Sequence, residues 1–196
     1  MAERTAAIER ETKETKIKVS LCLDGTGVSS IQTGIGFFDH MLDSFARHGQ
    51  FDLNIEACGD LHVDAHHTIE DVGICLGKAF KKAIGDKSGI TRFGNAAIPM
   101  DEALTIAAVD LSGRGFLAVD LTISQENIGD MPSHLVTEFL RAFASNAELT
   151  LHIRQFCGEN PHHIVESVFK SSARALREAV SFDDRISGVP STKGTL

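Results

Sequence analysis

The second half of this chain restates the first, and that repetition constrains the fold more than any other feature of the sequence. Glu14–Gly27 (E-T-K-I-K-V-S-L-C-L-D-G-T-G) lies over Glu102–Gly115 (E-A-L-T-I-A-A-V-D-L-S-G-R-G), with the leading glutamate and both glycines matched. His40–Ile55 lies over Glu138–Ile153, with Leu42/Leu140, Phe45/Phe143, Ala46/Ala144, Leu53/Leu151 and Ile55/Ile153 in register. His66-His67-Thr68-Ile69-Glu70 lies over His162-His163-Ile164-Val165-Glu166, and apolar positions behind each pentad also match: Val72/Val168, Ala79/Ala175, Ala83/Ala179. Three blocks in the same order, separated by small insertions, indicate duplication of one supersecondary unit. Two unrelated α/β units with similar patterning would explain the apolar matches but not two H-H-x-x-E pentads.

Periodicity within each copy sets its elements. Alternation before the glycine turns reads as strand, and apolar spacing of three and four after His40 and Glu138 reads as helix, followed by a short connection and another strand. Each half is thus expected to form a strand hairpin with its turn at Asp24-Gly25 or Ser112-Gly113, then a helix, a strand and a second helix. The expected fold class is α+β, an internal duplication giving two antiparallel sheets with the helices packed between them, since the apolar stripes of four helices must be covered. With 196 residues, 42% of them hydrophobic, there is material for one core shared by two repeats. A single domain is expected over 1–196, with repeats at approximately 8–88 and 89–182 and a C-terminal tail over 183–196.

A net charge of −8 argues against nucleic acid as a partner, because a binder of the phosphate backbone needs a basic surface. No run of eighteen apolar residues occurs, and Glu3–Lys18 is dense in charge, so neither a membrane span nor a signal peptide is expected. Cys22, Cys58, Cys75 and Cys157 form no C-x-x-C pair, which fits a reducing cytoplasm. Nine histidines in an acidic chain point to metal or acid–base chemistry.

On a helix, His66 and His67 lie four and three residues from Glu70, so each shares a face with it. Adjacent residues point about 100° apart, so His66 and His67 do not comfortably bind one ion together, nor do His162 and His163. The pentads therefore read as ligands for two ions, each drawing on both halves. Imidazole and carboxylate donors without cysteine suit an octahedral ion such as manganese better than a closed thiolate zinc site. A helix start bearing titrating surface histidines is the plain alternative, and two adjacent pairs with repeated glutamates tell against it. His40, in F-F-D-H-M-L, occupies a duplicated position and is a further candidate ligand. His48 either complements the negative end of the same helix or touches substrate. His62, His134 and His152 read as exposed or capping residues. Arg114 stands where the first copy has Thr26, and a guanidinium among glycines can grip an anion, although a solvated turn arginine is commoner in general. Lys193, taken alone, is a tail residue.

Together F-F-D-H-M-L (37–42), D-A-H-H-T-I-E-D-V-G (64–73), D-L-S-G-R (110–114), N-P-H-H-I-V-E-S-V-F-K (160–170) and P-S-T-K-G (190–194) resemble the imidazoleglycerol-phosphate dehydratases over nearly the whole chain. The resemblance implies a ribosomal protein S5 domain 2-like fold and the monofunctional form, with no appended phosphatase domain. It implies a hydro-lyase of histidine biosynthesis that converts D-erythro-imidazole glycerol phosphate to imidazole acetol phosphate. It further implies two manganese ions per active site, shared between subunits of a homo-oligomer in which trimers assemble into an octahedral 24-subunit shell. By position it makes His40, His66, His67, Glu70, His162, His163 and Glu166 metal ligands, the pentad residues being catalytic through their ions. It sets Glu14, Arg92, Arg114, Lys170, Ser191, Thr192 and Lys193 around the substrate, the basic ones at its phosphate; His40 and His48 are carried as substrate contacts too.

The implied chemistry follows from what such a substrate lacks. No carbonyl acidifies the hydrogen to be lost, so the imidazole ring must act as electron source and sink, and two cations holding it as an imidazolate would stabilise that charge. Hydroxide then leaves through a diazafulvene-like intermediate, and Glu14 is assigned as the base that takes the carbon-bound proton. One position departs from the pattern: Glu138 aligns with His40, where many family members carry a second histidine. Manganese accepts carboxylate oxygen readily, so Glu138 is carried as a ligand, with a supporting position beyond the ligands as the alternative. Two rival classes remain, a dinuclear phosphate-ester hydrolase and a ferritin-type metal-storage bundle, which would use Glu-x-x-His rather than His before Glu.

Overall fold

The computed structural model describes residues 3–195; Met1, Ala2 and Leu196, the ends of the domain expected over 1–196, lie outside the described residues. The first repeat runs β1 (Thr5–Glu11), β2 (Thr15–Cys22), β3 (Ser29–Gln32), α1 (Gly36–Gly49), β4 (Asp52–Gly59) and α2 (His66–Ile84). The second runs β5 (Phe93–Met100), β6 (Ala103–Asp110), β7 (Phe116–Asp120), α3 (Leu135–Ala147), β10 (Thr150–Cys157) and α4 (Pro161–Val180), with a short pair, β8 (Asn127–Ile128) and β9 (Met131–Pro132), inserted before α3. The two main sheets have one order, β1-β2-β4-β3 and β5-β6-β10-β7, so the duplication is one of topology as well as of sequence. The fold is α+β, as expected, and its sheets rule out an all-helical storage bundle.

Burial alternates along the strands: β2 buries Thr15, Ile17, Val19 and Leu21 and turns Lys16, Lys18 and Ser20 outward, the pattern of a sheet covered on one face. The cover is helical. α2 lies on β1 and β2, α4 on β5 and β6, and the helices pair across the halves, α1 with α4 and α2 with α3. Phe139 stacks on Phe169 with centroids 5.4 Å apart and meets Phe38 edge-on at 5.2 Å, so aromatic rings from three helices meet in the shared core. Between α2 and α3 the backbones approach so closely that a Cβ on Gly77 would fall 2.6 Å from the Phe143 carbonyl oxygen. That approach requires glycine.

Two features differ from the reading of the sequence. The hairpins turn at 12–14, where Glu11 pairs with Lys16, and at Asp101-Glu102, where Met100 pairs with Ala103. Asp24-Gly25 and Ser112-Gly113 instead begin the connections to β3 and β7, which lie beyond β4 and β10 and run parallel to them, leaving each sheet antiparallel except at that edge. Turn residues mark where a strand ends, not whether its neighbour is the next strand or one still to come.

The inserted segment between β7 and α3 has its own task. The backbone N–H groups of Gly36 and Phe37 donate to the Asp130 carboxylate at 2.6 and 3.1 Å, closing the start of α1, whose own N-cap residue Ile35 has no side-chain acceptor. The break in the repeat thus caps a helix of the opposite half. No described helix is long and apolar enough to cross a membrane.

Candidate metal centre

Both pentads begin helices, and local chemistry sets them there. The His66 backbone N–H donates to Asp64 at 2.8 Å, and the His162 N–H donates to the N-cap Asn160 at 3.0 Å, with Pro161 in the first turn of α4. Adjacent rings diverge as helix geometry demands, with planes 88° apart in His66/His67 and 80° apart in His162/His163. The first histidine of each pair turns toward its pentad glutamate, His66 Nε2 at 3.8 Å from Glu70 and His162 Nε2 at 3.1 Å from Glu166. The second turns to a carboxylate elsewhere: His67 Nδ1 lies 3.1 Å from Asp60 and His163 Nδ1 lies 2.7 Å from Glu102.

Packing of α1 on α4 adds His40 to the second pentad, its Nε2 3.6 Å from the Glu166 carboxylate. His40, His162 and Glu166 each offer a donor atom, all within 4.8 Å of one another. Two imidazole nitrogens and one carboxylate oxygen at that spacing fit a divalent cation with further positions open to other ligands. Burial pushes the Glu166 carboxyl up, but Lys170, with its ammonium 2.6 Å away, and His40 and His162 outweigh this and hold it low. His48 lies close by, and burial together with Lys170 and Arg174 pushes its imidazole down, favouring the neutral ring. Among the described residues no second group of three is formed. Glu138, the counterpart of His40, pairs with Arg141 at 3.5 Å, leaving His66 and Glu70 as a two-donor set within this chain.

Glu14 stands exposed in the β1–β2 turn, near enough for its charge to act on His67, whose imidazole is pushed up first by its hydrogen bond to Asp60. Glu102 occupies the same place in the other hairpin. Its bond to His163 and the backbone N–H of Asn160 hold its carboxyl at about 2, and it pushes the His163 imidazole up in turn. Neither Asp60 nor Glu102 was among the expected site residues. Glu102 carried a signal, its match to Glu14; Asp60 lies between the matched blocks and carried none.

The remaining candidates gather elsewhere. Arg92 donates from Nε to Asp110 at 2.8 Å and from Nη1 to the Pro190 carbonyl at 2.8 Å, tying down the segment that leads into Ser191, Thr192 and Lys193. In that tail the Lys193 backbone N–H donates to Ser191 Oγ at 3.2 Å. Arg114 belongs to the turn after β6, its Nη1 donating to the Ser112 carbonyl at 3.3 Å. These groups sit at the Asp110 end of β6, while Glu102 and His163 sit at the other; eight residues at about 3.3 Å each put roughly 26 Å between the two ends. Of the expected basic residues, Lys170 stands with the histidines. A concavity of about 590 Å³ on the outer face of the first sheet, lined by Ala7, Ser20, Cys22 and Asn54 among others, has no histidine in its wall.

Comparison with known proteins agrees with the geometry. The family model described as imidazoleglycerol-phosphate dehydratase matches residues 33–176. Proteins of that name from Pelotomaculum thermopropionicum and Gluconacetobacter diazotrophicus are 56% and 58% identical to this chain, the first over all of both chains and the second over 98% of each. Among solved structures, the Staphylococcus aureus enzyme of that name superimposes with a TM-score of 0.83 at 40% identity, covering 91% of this chain and 99% of its own. The Pyrococcus furiosus enzyme, solved with (S)-C348, gives 0.84 at 40% identity, covering 96% and 100%.

Proposed function

This chain belongs to the imidazoleglycerol-phosphate dehydratase family, hydro-lyases of histidine biosynthesis, and we propose that it dehydrates imidazole glycerol phosphate with two manganese ions held by its duplicated pentads. The observation that carries the metal reading is the His40–His162–Glu166 trio, three donors from two helices converging at the start of α4. Nitrogen and carboxylate oxygen donors without thiolate suit manganese. When bound, the ions would supply Lewis acidity that stabilises the substrate ring as an imidazolate, the electron source for loss of hydroxide through a diazafulvene-like intermediate.

The chain's own residues divide the other tasks. Glu14, on the hairpin beside His67, takes the carbon-bound proton; His66, His67, Glu70, His163 and Glu138 complete the ligand set; His40 and His48 border the substrate. Arg92, Arg114, Lys170, Ser191, Thr192 and Lys193 hold its phosphate by charge-assisted hydrogen bonds. A three-carbon chain between ring and phosphate is far shorter than the distance between the histidine end and the Arg92–Arg114 end of one chain. That mismatch supports a site completed by further copies of the chain, as in trimers assembled into a 24-subunit shell with the ions between subunits. Four free cysteines agree with a cytoplasmic enzyme.

The test is an assay of purified, manganese-loaded protein with imidazole glycerol phosphate. Imidazole acetol phosphate is the expected product. Release of inorganic phosphate without it would replace the dehydratase by the hydrolase.

A further inference from the structure

The duplication allows each residue of the site to be compared with its counterpart, and two carboxylates outside the ligand set stand out. Glu102, at the tip of the β5–β6 hairpin, engages both of its oxygens: Oε2 lies 2.7 Å from His163 Nδ1, while Oε1 accepts the backbone N–H of Asn160 at 2.9 Å and of Glu159 at 3.3 Å. An ionised carboxylate only accepts hydrogen bonds, so His163 carries a proton on Nδ1 and turns Nε2 outward, where the exposed Asp101 carboxylate lies 3.7 Å away. Glu14 occupies the matching place in the β1–β2 hairpin but holds no ring. Among the described residues its one hydrogen bond of this kind is made by its backbone N–H, which donates to Thr12 Oγ1 at 3.1 Å. The corresponding ring, His67, is held instead by Asp60, whose two oxygens lie 3.2 and 3.1 Å from Nδ1. Asp60 directly follows β4, and the residue in the matching place directly after β10 is Gly158, which has no side chain; Glu159 beside it turns its backbone N–H to Glu102. The two halves therefore meet one requirement with different residues.

We propose that Asp60 and Glu102 are positioning residues that fix His67 and His163 in the Nδ1–H tautomer with Nε2 free to bind an ion, and that the transfer of this task to Asp60 in the first half leaves Glu14 available to take the substrate proton. The inference rests on the metal-ligand reading given under Proposed function. A ring already set in tautomer and orientation needs no rearrangement when an ion arrives, and carboxylates in this supporting place typically govern metal affinity about 10- to 100-fold. In Asp60 both side-chain oxygens serve His67. Glu102 also braces the loop before α4, so its role needs a readout specific to the ring.

Magic-angle-spinning NMR of the metal-free, full-length chain labelled with ¹⁵N-histidine reports which nitrogen of each ring is protonated, with H67Q and H163Q supplying the assignments. The expected result is Nδ1–H for both rings in the native chain, loss of that preference at His67 alone in Asp60→Ala, and at His163 alone in Glu102→Ala. With the sample at a pH where the rings are neutral, a native ring protonated on Nε2 alone, or tautomers unchanged in the variants, would overturn the proposal. Manganese titration followed by electron paramagnetic resonance is the second arm: each variant should weaken one ion by about 10- to 100-fold, whereas Glu14→Gln should leave both ions bound and lower turnover. If Glu14→Gln weakens manganese as Asp60→Ala does, the division between Glu14 and Asp60 is wrong. Altered tautomers with unchanged manganese affinity would overturn the ligand reading instead, which separates the two failures.

Discussion

Glu166 is the residue on which the second pentad turns, because its carboxylate meets His162 on its own helix, His40 on α1 and Lys170 one turn further along α4. Lys170 balances the charge of a nearly buried acid, and on the metal reading proposed above a cation among the three donors would share that part. Removing one donor should therefore cost an ion without costing the fold. His162→Ala is expected to bind one manganese equivalent fewer than the native chain and to lose turnover, with an unchanged circular dichroism spectrum, whereas retention of both ions with full activity would remove His162 from the ligand set. Arg114 and Lys193 behave differently, since their hydrogen bonds among the described residues are made within the turn after β6 and within the tail, away from the histidines. Arg114→Ala and Lys193→Ala should leave manganese content intact and raise the Michaelis constant about ten- to hundred-fold, the equivalent of roughly 1.5–3 kcal/mol for a charge-assisted contact. An unchanged constant in both would leave the tail without a role in binding.

At the scale of elements, stability depends on contacts made across the halves. Asp130 caps α1 from a segment the first repeat lacks, and Asp130→Ala should lower unfolding free energy by about 0.5–2 kcal/mol, the usual worth of an N-cap acceptor. Burial pushes this carboxyl up, but the N–H groups of Phe37 and Gly36 more than reverse the effect, and the net shift is downward. A group whose folded pKa is depressed stabilises the fold above its ordinary pKa and ceases to do so as pH falls through the folded value. The difference between Asp130→Ala and the native chain in urea titrations should accordingly be full near neutrality and shrink in the acid range; a difference independent of pH would mean that the carboxylate charge is not what matters. Gly77 offers the complementary case. Alanine favours a helix by about 1 kcal/mol over glycine, yet here its Cβ would meet backbone of α3, so Gly77→Ala should destabilise by about 1–3 kcal/mol. A rise in melting temperature would show that α2 and α3 have room to separate.

For the molecule as a whole, Glu102 and His163 lie at one end of the second sheet and Arg92, Arg114 and the tail at the other, so one chain holds the parts of the site proposed above without joining them. If copies of the chain bring the parts together around shared ions, metal binding becomes association energy, because an ion that binds only the assembled form stabilises it by mass action. Chelation should then shrink the particle from the large shell toward trimers, and added manganese should restore it. Light scattering at fixed protein concentration reads this directly, and a mass indifferent to complete metal removal would assign the assembly to protein contacts alone.

Duplication, the helix starts and the divergence of paired histidines were all legible in the sequence, because each depends on short spacings and on the 3.6-residue turn of a helix. A repeat also discloses what its copies must share, which is why both pentads were visible without an alignment. Partners distant along the chain were not legible. The convergence of His40 with His162 and Glu166 depends on α1 meeting α4, the capping of α1 on a loop 93 residues away, and the hold on His67 on an acid in an unmatched loop. The position of β3 and β7 beyond strands that follow them belongs to the same class, as does the distance between the histidines and Arg114. Periodicity records which face of an element is buried; only tertiary packing decides which other element covers it, and the convergence of His40, His162 and Glu166, the carboxylates beside His67 and His163 and the distance from these to Arg114 are all consequences of that choice.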